Sequence, residues 1–108
     1  HTERGIEKRS NHYCMVKNED VVMDAHFLLP ERVTTAVNGR TLKISPEITN
    51  ETLIVTVLHP RRLIDKISSA FVESYKNSMI NLFIQDGRQK KLIRLDLANQ
   101  KVDIFNKK

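Results

Sequence analysis

A chain of 108 residues, 40% hydrophobic and 29% charged, can bury one core and is too apolar for global disorder. Its single cysteine, Cys14, excludes a scaffold built on internal disulfides and leaves the compartment open; no apolar run approaches the roughly 20 residues of a membrane-spanning helix. The net charge of +5 is uneven: residues 1–50 hold 7 Lys/Arg and 7 Asp/Glu, residues 51–108 hold 11 against 6, an asymmetry that bears on partners rather than on fold.

Residues 1–12 are polar and aperiodic and read as a flexible lead-in or linker stub. The chain opens at His1 with no signal-peptide pattern, so it reads as a piece of a longer protein. In one version of that reading the lead-in is the stub beside a membrane anchor. Residues 13–108 then form a single domain. Tyr13 to Val16 is a short strand, and Lys17 to Asp20 is a turn. Val21 to Leu29 is a longer strand, stopped by Pro30. Val33 to Val37 and Arg40 to Ile44 flank Asn38-Gly39, the pair that tolerates the positive φ angles of a two-residue hairpin turn. Ile48 to Glu51 is a loop or a single helical turn, and Asn50-Glu51-Thr52 fits a glycosylation sequon. Thr52 to Leu58, apolar on both faces, reads as a central strand.

Over residues 60–77 the spacing predicts one long helix. Leu63, Ile64, Ile67, Ala70, Phe71 and Tyr75 recur three and four apart, Pro60 suits a first helical turn, and Asn77 suits a left-handed C-terminal cap. Met79 to Gln85 follows as a strand, Asp86-Gly87 as a second hairpin turn, and Leu92 to Leu97 and Lys101 to Phe105 as the last strands. The expected fold is α+β: about seven or eight short strands in a mostly antiparallel sheet, packed on the 60–77 helix. One helix cannot cover both faces of such a sheet, which leaves a face or an edge for a partner.

Candidate chemistry is sparse. Cys14 with His12, and with His26 and Asp24 nearby, invites a thiolate or metal reading, but the chain has no CxxC and no HxxxH pair. A small core cysteine is the simpler account. Three glycines, two of them taken by hairpins, leave no glycine-rich loop for a cofactor. No catalytic residue, metal or cofactor is expected. Arg61 and Arg62 at the start of the expected helix would suit an anion, because the first-turn N–H groups lack partners. Arg88, Lys90, Lys91 and Arg94 cluster on the second hairpin, where they can track a phosphate backbone or simply guard a sheet edge against aggregation. The leading expectation is a non-enzymatic binding or assembly module, acting through protein contacts or self-association at an open sheet face or edge strand, within a membrane-tethered or regulatory parent. The alternative is nucleic-acid binding through the basic hairpin and the helix start.

Overall fold

The computed structural model describes residues 4–47, 53–87 and 89–107, and among them every regular element is a β-strand. In chain order these are β1 (Arg4–Ser10), β2 (Tyr13–Asn18), β3 (Val21–Leu29), β4 (Val33–Asn38), β5 (Thr41–Pro46), β6 (Val55–Arg62), β7 (Ser69–Lys76), β8 (Met79–Asp86), β9 (Gln89–Asp96) and β10 (Lys101–Lys107). All pair antiparallel, in sheets ordered β1-β2-β3-β6, β4-β5 and β10-β9-β8-β7. The chain divides into two compact units, His1–Asp65 and Lys66–Lys108. The second carries 9 Lys/Arg and 4 Asp/Glu, so the whole +5 belongs to it.

In the first unit, residues 4–10 of the expected lead-in form β1, paired along β2. Strand alternation gives the four-stranded sheet two different faces. One shows Cys14, Ala25 and Phe27, which bury with Val33 and half-buried Leu42 of the β4–β5 hairpin to form the apolar core. Polar bonds fix that hairpin: Lys8 Nζ donates to the Thr35 carbonyl at 2.8 Å, and Thr35 Oγ1 to the Ser10 carbonyl at 3.3 Å. The opposite face shows Tyr13, Met15, Asp24, His26 and Arg61. The β4–β5 turn falls one residue later than Asn38-Gly39: Asn38 pairs with Thr41, and Gly39 alone takes positive φ, at 62°. Thr52 to Leu58 was expected at the centre of a sheet, yet β6 is an outer strand that pairs with β3.

The second unit is a four-stranded meander. β7 and β8 turn through Asn77 and Ser78, both at positive φ, and β8 and β9 through Gly87 at φ 60°. Asp96 closes the longer β9–β10 loop, accepting hydrogen bonds from Asn99 N at 3.1 Å and Asn99 Nδ2 at 2.9 Å.

The expected helix at 60–77 does not exist, and the fold is all-β rather than α+β. Pro60 to Arg62 complete β6, residues 63–65 turn, and residues 69–76 are β7. Pro60 is tolerated because β6 is an outer strand, where a missing N–H costs least. The helical spacing has a local cause. A bulge between Val72 and Ser74 inserts Glu73, so Val72 and Tyr75, three apart, pair with Leu82 and Ile80 on one face. Phe71 and Ser74, also three apart, share the other face. The rest of the stripe is unburied: Ile64 is 83% exposed in the turn, and Leu63 and Ile67 are exposed too. Asn77 does adopt the left-handed conformation, but as half of a hairpin turn. The sequon and the Ile48–Glu51 segment lie outside the described residues.

Candidate functional site

A buried polar cluster occupies the Tyr13 face of the first sheet. Register places Met15 opposite Asp24, Tyr13 opposite His26, Asp24 opposite His59 and Val22 opposite Arg61. The Asp24 carboxylate is fully buried and uses both oxygens. Tyr13 Oη donates to Oδ1 at 2.6 Å and Arg61 Nε to Oδ2 at 2.8 Å. Arg61 continues outward: Nη1 donates to the carbonyls of Asp65 at 3.1 Å and Arg62 at 3.3 Å, and Nη2 lies 3.2 Å from Met15 Sδ. The Tyr13 ring stacks on His26 with centroids 4.9 Å apart. Burial, and then the bond to Asp24, pushes the Tyr13 hydroxyl up to about 12. Burial lowers the His26 pKa despite the neighbouring Asp24 charge. Each charge in this set is neutralised by a direct partner, so the cluster ties β2, β3 and the end of β6 together.

Arg61 therefore fills no anion site at a helix start. It is buried, and it bonds to a carboxylate. Arg62 is exposed at the end of β6, and its Nη2 lies 3.4 Å from Asp65 Oδ1. The pairing of Asp24 with Arg61 crosses 37 residues of sequence, and no local pattern announces it.

Cys14 is fully buried, and burial raises its pKa, away from the thiolate form. His26 and Asp24 stand on the sheet face opposite Cys14, whose register partner is Ala25. His12 lies in the β1–β2 turn, its Nε2 2.6 Å from the Glu31 carbonyl oxygen. The structure thus separates the residues that invited a thiol or metal reading. Among the described residues no three His, Cys, Asp or Glu side chains gather as a metal site would require.

The β8–β9 hairpin disperses the remaining basic residues. Arg88 lies outside the described residues. Lys91 pairs with Ile84 and so shares the Leu82 face, whereas Lys90 and Arg94 share the Phe83 face. There Lys90 Nζ sits 4.4 Å from the Phe83 ring centroid, and Arg94 Cζ 5.5 Å from that of Phe105. Arg94 Nε also donates to Asn81 Oδ1 at 3.1 Å, and Asn81 Nδ2 to Ser74 Oγ at 2.9 Å. Phe71, read from the sequence as part of a helical core stripe, stands 5.4 Å from Phe83. The signal that could have found this arrangement is the pair of hairpin turns, which fix the register of β7, β8 and β9.

Compared with protein-family models, with curated proteins and with solved structures, the chain matches none.

No helix among the described residues is long and apolar enough to cross a membrane.

Proposed function

We propose that this protein is a non-enzymatic binding and assembly module that pairs with another polypeptide through its outer strand β10. The observation that carries this reading is the exposure of Val102 and Ile104, 59% and 62%, on a strand whose described pairing is with β9 alone. An outer strand offers unpaired N–H and C=O groups to an added strand, and apolar side chains beside them supply the hydrophobic gain. A second copy is the simplest partner, since two outer strands can pair about a two-fold axis.

Sedimentation of the full chain over a range of concentrations tests the reading. Reversible association that Ile104→Lys suppresses supports it. A strict monomer at high concentration counts against it.

A further inference from the structure

The Phe83 face of the second sheet carries a feature that the outer-strand reading does not use. Three registers, Phe71 with Phe83, Phe83 with Leu92 and Leu92 with Phe105, set four side chains in one line across all four strands. With strands about 4.8 Å apart, the line is about 14 Å long. Its ends are open and its middle is not: Phe71 is 47% and Phe105 42% exposed, whereas Phe83 is half-buried between Phe71 and the Lys90 side chain and Leu92 is buried. Cations flank the rings. Lys90 lies over Phe83, Arg94 over Phe105, and exposed Lys101 shares the face, because its partner Asp96 lies opposite Met79 of β8.

From this geometry we infer that the Phe83 face of β7–β10 binds single-stranded nucleic acid, with bases stacked on Phe71, Phe83 and Phe105 and phosphates met by Lys90, Arg94 and Lys101. The choice of occupant rests on charge and shape together. The whole +5 of the chain lies in this 43-residue unit. A sheet face with rings in line accepts unstacked bases, each of which has a π-face to offer, and two or three bases fit on such a sheet. A duplex keeps its bases inside and would gain nothing from the rings. Asp96 and Asp103 share the face, but Asp96 is engaged by Asn99, and Asp103 stands opposite Arg94. The contact of Lys90 with Phe83 joins two half-buried side chains without a hydrogen bond, and a base on the ring with a phosphate on the ammonium can replace it. Val102 and Ile104 project from the other face, so the two surfaces are separable.

Fluorescence anisotropy of the full chain with labelled 12-mers, one uridine-rich RNA and one thymidine-rich DNA, tests the inference. The expected result is binding at low salt to at least one of them. Phe71→Ala and Phe105→Ala each weaken it by roughly five- to 150-fold. Lys90→Gln with Lys101→Gln shallows the dependence of log K on log salt by about 1.4. Phe71→Tyr, which keeps a ring, retains binding, and Ile104→Lys leaves it unchanged even where it suppresses self-association. A preference between the two strands identifies RNA or DNA as the ligand. The inference is overturned if neither oligonucleotide binds at low salt. It is equally overturned if the two alanine variants, folded by circular dichroism, bind like the parent, since the affinity is then only that of a basic protein for a polyanion.

Discussion

Arg61 and Asp24 meet inside the first sheet, Nε to Oδ2 at 2.8 Å, with side chains 4% and 0% exposed. Removing one member of such a pair strands the other as a buried charge, a loss of about 3–5 kcal/mol. Asp24→Ala and Arg61→Met are each expected to destabilise the fold by that amount in urea titrations. Replacing the pair together, as Asp24→Leu with Arg61→Met and with Tyr13→Phe to remove the hydroxyl that would lose its acceptor, recovers most of the loss. Single variants within 1 kcal/mol of the parent would mean that the pair is not desolvated.

Cys14 lies in the apolar core of the first unit, with Ala25, Phe27 and Val33. Its thiol is expected to resist aromatic disulfide reagents in native buffer and to react stoichiometrically in denaturant. Cys14→Ala is expected to retain the fold. Cys14→Ser puts a hydroxyl beside Ala25 and Phe27 but within reach of the buried Thr35 side chain, and costs about 1 kcal/mol. Rapid labelling of the native protein is the result that contradicts this placement.

How much of this was written in the local sequence varies along the chain. The hairpins around Gly39 and Gly87 were legible because a glycine at positive φ is a local requirement, although each turn begins at the glycine itself. β7 was not legible. Its bulge at Glu73 replaces the two-residue period of a strand with three-residue spacings, and the exposed Leu63, Ile64 and Ile67 extended that false period backwards. β1 was hidden for another reason: Glu7, Lys8 and Arg9 look like a solvated run, but Lys8 spends its charge on the Thr35 carbonyl and Glu7 pairs with Lys17 at 3.1 Å. The aromatic line could not be read at all without registers, since Phe71, Phe83, Leu92 and Phe105 are brought together by three separate strand pairings.

His26 gives the fold a pH dependence whose sign follows from its burial. Desolvation lowers its pKa below the ordinary 6.5, outweighing Asp24, and His59 lowers it further. The unfolded chain therefore takes up a proton near pH 6.5 that the folded chain refuses. The stability from neutral His26 is fully present above about 6.5, and it is lost as pH falls toward the lowered folded value, at up to about 1.4 kcal/mol per pH unit. Urea midpoints measured from pH 8 down to pH 5 should fall below 6.5 in the parent and flatten in His26→Gln. A parent curve that is level across this range removes the assignment.

Ser78 holds φ at 61° beside Asn77 at 54°, and this pair decides between the strand and helix readings of the preceding segment. A left-handed conformation costs a residue with a Cβ about 1–2 kcal/mol, and Asn-Gly is the pair best suited to a two-residue turn with both central residues at positive φ. Ser78→Gly is therefore expected to stabilise the protein by about 1 kcal/mol, seen as a higher urea midpoint with an unchanged slope. Were residues 60–77 a helix capped at Asn77, Ser78 would lie beyond the cap and the substitution would change little. Far-ultraviolet circular dichroism supplies the companion measurement. The β7–β8 hairpin requires a strand-type spectrum in both proteins, and a helical double minimum would contradict it.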